Sequence, residues 1–188
     1  MIESFIMKKV LVPFAEGFEE VEAVTIVDIL RRGGVEVVTA SLMGPLVTGA
    51  HGMRIEADSI LSEVLEEEYD AIILPGGGKG TENLLECEPL KRRLQRQKAD
   101  GKLVAAICAA PMVLDNAEVL SGEEVTCYPT CAPQMSCRVE DVPVIADGLV
   151  ITGQAPGAAL LFSLVVLKHL RSEVKAREVA AGLVTDVL

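Results

Sequence analysis

Residues 102–111 read KLVAAICAAP, and this stretch decides the fold class. Its apolar first half predicts a strand at residues 102–107 that is buried on both faces, as the strands of a parallel sheet are. A helix is predicted from Ala109 onward. Cys108 therefore stands at a tight turn where a strand runs directly into a helix, which is the repeating unit of an α/β fold.

The same alternation of strand and helix extends in both directions from this segment. Strands are predicted at residues 10–14, 35–40, 70–74 and 149–152, with another near Val125. Helices are predicted at residues 21–30, 60–68, 81–99, 156–170 and 173–184, and a hairpin or irregular excursion at residues 44–56. Because the connections are short, the pattern predicts an α/β sandwich with a mainly parallel sheet covered by helices on both faces.

Length and composition fit one globular domain, residues 1–188, in which residues 1–6 form a possible extension before a natural start at Met7. Hydrophobic residues make up 50% of the 188 and aromatic residues only 3%, so the core is expected to be aliphatic. A formal charge of −11 repels phosphate backbones and argues against nucleic acid as a partner. No stretch approaches the roughly 18 to 20 apolar residues of a membrane span, and no basic region precedes the first apolar residues as in a secretory signal.

The chain contains five cysteines, an odd number at irregular spacing: Cys87, Cys108, Cys127, Cys131 and Cys137. This spacing matches neither a disulfide framework nor a paired zinc motif. The two histidines are isolated, since His51 lies in the Gly-rich excursion and His169 near the end of a predicted helix. These patterns predict a cytoplasmic protein with reduced thiols and without a bound metal or cofactor.

Three segments of chemical interest directly follow predicted strands: residues 15–22, residues 75–78, and Cys108. Ligands of α/β sheets bind beyond the carboxyl ends of the strands, so we expect these segments to form a site. The start of a helix offers N–H groups and a positive dipole end, which would lower the pKa of the Cys108 thiol below its usual value of about 8.5. The alternative for Cys108 is a buried structural cysteine.

The glycines Gly76, Gly77 and Gly78 let the backbone approach a ligand, and their N–H groups could stabilise an oxyanion beside a nucleophile. A phosphate-binding loop is disfavoured because the spacing of the usual motifs is incomplete, and a plain turn is the other alternative. The acidic turn at residues 19–22 either complements a helix dipole or places one carboxyl beside the thiol, where it could transfer a proton. Periodicity does not indicate which glutamate faces inward.

Taken together, the motifs resemble those of the ThiJ/PfpI superfamily, and within it the branch of the parkinsonism-associated protein deglycase and its bacterial relatives. The segments that carry the resemblance are residues 10–14, 17–23, 30–34, 74–77, 105–111 and 153–157. The resemblance implies a flavodoxin-like, class I glutamine amidotransferase-like three-layer sandwich. It also implies a homodimer and a redox-sensitive cysteine at the elbow between strand and helix.

By motif position, the resemblance makes Cys108 the nucleophile and Glu22 the protonated glutamate beside it. It places the backbone amides of Gly77 and Ala109 against the sulfur, next to Gly76. It also implies that Arg32, in the first helix, helps to hold an anion near the site.

The chain departs from the family pattern at two positions. Tyr128 stands where many members carry a histidine, and a tyrosine is a poor base at neutral pH because its ordinary pKa is about 10. His51 stands where relatives carry an arginine that reaches the anion site. Ala109 follows the nucleophile where the protease branch has a histidine, which argues against proteolysis. No downstream His–Glu pair is present, which argues against glutamine amidotransfer.

The resemblance therefore predicts a cysteine-dependent, cofactor-free glyoxalase or protein deglycase that acts on methylglyoxal, glyoxal or early glycation adducts of proteins. The alternative is a stress sensor or chaperone switched by oxidation of Cys108, without turnover. Nothing in the residues indicates the thiazole-biosynthesis role that is sometimes attached to the family.

Overall fold

The computed structural model describes residues 7–188, so the possible extension at residues 1–6 lies outside the described residues. The strands are β1 Lys9–Phe14, β2 Glu36–Ser41, β3 Leu46–Thr48, β4 Arg54–Glu56, β5 Ser59–Ile60, β6 Ala71–Leu74, β7 Leu103–Ile107, β8 Val144–Asp147 and β9 Val150–Gly153. The helices are α1 Glu20–Arg32, α2 Leu61–Val64, α3 Gly78–Leu85, α4 Glu88–Ala99, α5 Pro111–Asn116, α6 Ala159–Leu170 and α7 Glu173–Gly182.

Seven strands form the main sheet in the order β5-β2-β1-β6-β7-β9-β8. All neighbours in it are parallel except β8 and β9, which pair antiparallel at one edge. Strands β3 and β4 form a separate antiparallel hairpin, so the hairpin alternative for residues 44–56 is confirmed. The predicted α/β sandwich with a mainly parallel, flavodoxin-like sheet is also confirmed.

The core has two halves because strands that are buried on both faces contribute alternate residues to each side. On one face, Val10 and Val12 of β1 pack in a cluster with residues of α1, α6 and α7. On the other face, Leu11 packs in a cluster with residues of α4 and α5. Full burial of each such aliphatic side chain contributes about 1.5 to 3 kcal/mol, so the aliphatic composition is sufficient to hold three layers together.

Three predicted elements differ from the structure, and the first is the helix predicted at residues 60–68, which is only Leu61–Val64. The single helix at residues 81–99 is two helices, α3 and α4, separated at Cys87, whose backbone is not helical. Pro89 lies in the first turn of α4, where its missing N–H is not needed, whereas inside one long helix it would remove a hydrogen bond. The strand near Val125 is only an isolated bridge to Val139, and the edge strand β8 was not predicted.

Helix α4 carries a run of basic residues, a pattern that is typical of a solvated helix face, yet one of them is buried: the run is Lys91, Arg92, Arg93, Arg96 and Lys98. Arg93 is only 4% exposed and donates hydrogen bonds to the backbone carbonyls of Leu65 and Glu67. These carbonyls lie just beyond the end of the short helix α2, where backbone carbonyls have no N–H donor within the helix. Arg93 supplies the missing donors. Along residues 7–188, no helix is long and apolar enough to cross a membrane.

Candidate active site

The three segments predicted to converge follow strands that are neighbours in the sheet. Strand β6 lies between β1 and β7, and all three are parallel. Their carboxyl ends therefore meet at one edge, which brings together Glu22 after β1, Gly76 after β6 and Cys108 after β7. The predicted site is thus a direct result of strand order.

Cys108 has a backbone conformation that side chains rarely adopt. Its φ of 64° lies in the left-handed region, which costs a residue other than glycine about 1 to 3 kcal/mol. Two backbone hydrogen bonds hold it there: its N–H donates to the Gly153 carbonyl over 2.9 Å, and its carbonyl accepts the Tyr128 N–H over 2.8 Å. The chain is thereby bent into the elbow that the strand-to-helix transition predicts.

The thiol of Cys108 is surrounded by donors and one carboxyl. The backbone N–H groups of Gly77 and Ala109 lie beside the sulfur and act to lower the pKa of the thiol. The carboxyl of Glu22 lies near enough to the thiol to affect its pKa, and its Oε2 accepts the Gly76 N–H over 2.7 Å. Among the glutamates of the acidic turn, Glu22 is therefore the one at the sulfur.

Gly76 and Gly77 make this close approach possible. A Cβ on Gly76 would lie 2.8 Å from the Cβ of Cys108 and 2.9 Å from Oε2 of Glu22, which is closer than real Cβ contacts. Gly77 has a φ of +96°, and a Cβ there would lie 2.3 Å from the Gly17 carbonyl oxygen. Both glycines are thus required by space, and Gly77 by conformation as well.

Burial dominates the protonation of this pair. Burial raises the pKa of the Glu22 carboxyl to about 7, although the Gly76 N–H and the Cys108 thiol act in the opposite direction. Burial also raises the pKa of the Cys108 thiol, as does the charge of Glu22, against the N–H groups of Gly77 and Ala109. Two buried acids in contact carry at most one negative charge between them at neutral pH.

The prediction of a lowered thiol pKa is therefore wrong, because burial and the charge of Glu22 both raise it. The helix that follows, α5, is only six residues long and begins three residues beyond Cys108, so its end offers the sulfur little charge. When Glu22 is protonated, its charge is gone and its O–H can donate to the sulfur, which favours the thiolate. Burial and the protonation of Glu22 together set the state of the nucleophile.

The three accessory residues have different outcomes. Tyr128 reaches the elbow through its backbone N–H. Arg32 ends α1, ten residues beyond Glu22 and about 15 Å farther along the axis, and pairs with Asp28 over 2.7 Å. Within this chain the structure therefore does not bring Arg32 to the sulfur. The partners of His51 are Glu19 and Glu20 at the start of α1.

The contact between His51 and Glu20 was missed by sequence reasoning. Oε1 of Glu20 accepts the N–H groups of His51 and Met53, and Oε2 lies 2.9 Å from Nδ1 of His51. These donors lower the pKa of the Glu20 carboxyl to about 2, although burial acts to raise it. Residues 20 and 51 are 31 positions apart on different elements, and no local pattern signals such a contact.

A cavity of about 390 Å³ lies away from the cysteine. It lies beyond the ends of β1 and β2, and its lining includes Phe14, Glu16, Met43 and Asn83. No cysteine is among the described residues that line this cavity, and the hydroxyl of Ser41 in its wall donates to the Gly44 carbonyl. The elbow combines a thiol, a carboxyl and two amide N–H groups and is therefore the candidate site, with Cys108 8% exposed.

Comparison with known proteins agrees with the geometry. The sequence profile of the DJ-1/PfpI family matches residues 8–169. The chain is 40% identical over 186 residues to "Protein DJ-1 homolog B" of Arabidopsis thaliana, covering 94% of this chain and 41% of that protein. The chain thus spans less than half the length of this plant relative.

Two further similarities extend over most of both chains. "Glutathione-independent glyoxalase DJR-1.2" of Caenorhabditis elegans is 36% identical over 163 residues, covering 85% of this chain and 87% of that protein. The solved structure titled "Toxoplasma gondii DJ-1, oxidized" superposes with a TM-score of 0.91 at 38% identity, covering 95% of this chain and 98% of that chain.

Proposed function

Because the chain belongs to the DJ-1/PfpI family, we propose that it is a cysteine-dependent, cofactor-free glyoxalase acting on methylglyoxal or glyoxal. The observation that carries the proposal is the buried Glu22 carboxyl beside Cys108 at a strained elbow, where a Cβ on Gly76 would touch both side chains. A carboxyl whose pKa is about 7 can both accept and donate a proton at neutral pH.

The first step is addition of the thiol to the aldehyde carbon. A C–S bond forms, the carbonyl π electrons move to oxygen, and the thiol proton passes through Glu22 to that oxygen, which gives a hemithioacetal. The amides of Gly77 and Ala109 donate to the sulfur and to charge that develops beside it.

The second step is an internal transfer of hydrogen. Glu22 removes the proton from C1 of the hemithioacetal and returns it to C2, while the proton of the C1 hydroxyl passes to the C2 oxygen, which turns the adduct into a thioester. Water then cleaves the thioester and restores the thiol, so that methylglyoxal and water give lactic acid. Because C1 is oxidised while C2 is reduced, the reaction needs no external oxidant, reductant or metal.

Early glycation adducts of proteins are a second substrate class for the same residues. They contain the same dicarbonyl carbons, with C1 attached to an amine or a thiol of the protein. The Cys108 thiol would displace that group, which leaves with the thiol proton, and the resulting hemithioacetal would follow the second step above. We propose this deglycase activity as an extension of the glyoxalase reaction.

The decisive experiment measures lactate formation from methylglyoxal by reduced protein without glutathione or added metal. Cys108→Ser and Glu22→Gln should both lose turnover. Cys87→Ser is the matched control, because Cys87 is a half-buried thiol at the break between α3 and α4. Absence of turnover in fully reduced wild-type protein would contradict the proposal.

A redox-sensing or chaperone function is the second candidate. Its support is the pair of N–H donors at the sulfur, which would stabilise a sulfinate as well as an oxyanion. Mass spectrometry of peroxide-treated protein should then show two oxygens on Cys108 before any other cysteine is modified. Peroxide-dependent protection of an aggregating client, without dicarbonyl turnover, would favour this function over the first.

The homodimer implied by the resemblance remains a proposal. Val21 and Val24 of α1 are about half exposed, at 54% and 46%, and would be covered by a second copy of the chain. Light scattering coupled to gel filtration should give twice the mass of 20.0 kDa. A charged substitution at Val24 should reduce that mass to one chain, and a monomeric wild-type protein would contradict the proposal.

A further inference from the structure

Three side chains of metal-binding type meet where the turn of the β3–β4 hairpin contacts the start of α1. Nδ1 of His51 lies 2.9 Å from Oε2 of Glu20 and 3.7 Å from Oε2 of Glu19. One ligand atom of each residue lies within 4.8 Å of the other two. Across residues 7–188, no other three histidine, cysteine or carboxylate side chains are grouped this closely.

We propose that Glu19, Glu20 and His51 bind a divalent transition-metal ion of the zinc type, at a site distinct from Cys108. Zn²⁺ is commonly held by imidazole nitrogen and carboxylate oxygen in a tetrahedron, with water in the fourth position when the protein supplies three ligands. Mg²⁺ and Ca²⁺ prefer six or more oxygen ligands and fit this donor set poorly.

The distances between the donor atoms fit such an ion. Bonds of about 2.0 to 2.2 Å from zinc to nitrogen and oxygen place neighbouring corners of a tetrahedron about 3.4 Å apart. The two distances from Nδ1 of His51, 2.9 and 3.7 Å, lie on either side of that value. The His51 side chain is 73% exposed, so small adjustments and a water ligand are sterically possible.

The backbone holds one ligand in place before any metal binds. Oε1 of Glu20 accepts the N–H of His51 over 2.7 Å and that of Met53 over 3.3 Å, which leaves Oε2 directed at the imidazole. Gly49 makes room for this carboxyl, because a Cβ there would lie 2.4 Å from its carboxyl carbon. Glu20 can therefore coordinate through Oε2 without losing its bonds to the hairpin.

The charges also balance. Two carboxylates offset the two positive charges of the ion, and they outweigh the partial charge of about +0.5 at the start of a helix. The metal replaces the proton on Nδ1 of His51, which leaves for solvent, while Nε2 carries the remaining ring proton. A bound ion would join the hairpin to α1 two residues before Glu22.

The test is a titration of reduced, ¹⁵N-labelled protein with Zn²⁺ alone, followed by NMR of the imidazole nitrogens. Because the chain has only two histidines, each ring gives a separately assignable pair of nitrogen signals. We expect Nδ1 of His51 to move to a metal-bound position while the signals of His169 stay unchanged. This readout separates the proposed site from zinc bound by thiols alone.

The variants identify the carboxyl ligands. Loss of even an outer-shell partner weakens metal affinity about tenfold to a hundredfold, so Glu19→Gln should weaken binding at His51 by at least about tenfold. Glu16→Gln is the matched control, because Glu16 bonds the same hairpin at Thr48 but lies outside the cluster. Zinc saturation without a shift at His51, or equal affinity in Glu19→Gln and wild type, would overturn the proposal.

Discussion

Two buried glutamates in the first turn of α1 show opposite acid–base behaviour. Glu20 is 4% exposed and Glu22 fully buried, yet the pKa of Glu20 falls to about 2 and that of Glu22 rises to about 7. Glu20 faces an imidazole and two backbone N–H groups. Glu22 receives one N–H, from Gly76, and faces a thiol that is itself an acid.

The difference shows that burial alone does not decide how a carboxyl titrates. The number and charge of its donors decide whether desolvation is offset. Glu20 has enough donors to remain ionised and to fasten the hairpin, whereas Glu22 has too few and retains a proton near neutral pH. The first turn of α1 thus contains one ionised carboxylate that binds the hairpin, Glu20, and one carboxyl that can carry a proton, Glu22.

The largest expected effect is on the rate of catalysis, which should depend far more on the carboxyl of Glu22 than on that of Glu20. Glu22→Gln keeps an oxygen for the Gly76 N–H but cannot transfer a proton, so lactate formation should fall by about 10² to 10⁴. Glu20→Gln should lose much less, and only as far as the hairpin loosens. Rates from methylglyoxal measure both, and equal losses would mean that Glu22 has no special role in proton transfer.

The second prediction uses the dependence of stability on pH. The ordinary pKa of both carboxyls is 4.5. Because the pKa of Glu22 is raised by folding, the folded state binds the extra proton between pH 4.5 and about 7, and stability should fall by about 3 kcal/mol as pH rises through that window. Glu20 should do the reverse, and its contribution is lost as pH falls from 4.5 to about 2.

Urea unfolding at a series of pH values across both pH windows measures how the free energy of unfolding changes with pH. Glu22→Gln should flatten the upper window alone, and Glu20→Gln the lower one alone. Identical slopes in wild type and Glu22→Gln between pH 4.5 and 7 would show that Glu22 titrates normally.

The third prediction compares the glycine beside each carboxyl. Gly76→Ala places a methyl group against the Cys108 Cβ and the Ile107 carbonyl, neither of which can move easily, so about 1 to 3 kcal/mol of stability and most activity should be lost. Gly49→Ala meets the end of the Glu20 side chain and should cost less. Gly78→Ala is the control, since nothing lies within 4 Å of the added atom. Thermal unfolding ranks the three variants by stability. A larger loss of stability in Gly49→Ala than in Gly76→Ala would refute this explanation.

The smallest effect on stability is expected when the imidazole of His51 is removed. His51→Gln removes the ring from Glu20 but leaves the backbone bonds, and the ring is mostly exposed. Global stability should change little, while amide exchange at His51 and Met53 becomes faster. His169→Gln, on α6, should leave the hairpin amides unchanged. Unaltered exchange in His51→Gln would show that the backbone bonds alone fasten the hairpin.

The parts of the site predicted from sequence are those with local signals. The strand that ends at Cys108 and the glycines at residues 76–78 are contiguous patterns, and the alternation of elements predicts parallel strands whose ends meet. The choice of Glu22 among three glutamates came from the family resemblance, because helical periodicity within one turn does not separate them.

The parts that were missed depend on distant contacts. Arg32 was assigned to the site from family position and lies at the far end of α1 within this chain, so its role stays a prediction. The imidazole of His51 reaches Glu20 only after the hairpin folds back. Strand β8 is a half-buried edge strand with a weak apolar pattern, whereas the break before α4 had a visible signal in Pro89 that the charge run obscured.

The hydrogen bond from the Cys108 N–H to the Gly153 carbonyl has a consequence for biosynthesis. Strand β9 is added to the edge of β7 by a segment 45 residues farther along the chain, so the ribosome releases the cysteine well before the residue that holds its elbow. Until β9 pairs, one of the two hydrogen bonds that hold the left-handed backbone of Cys108 is missing. The nascent chain therefore carries an ordinary cysteine, and the reactive geometry is assembled only when the C-terminal strands complete the sheet.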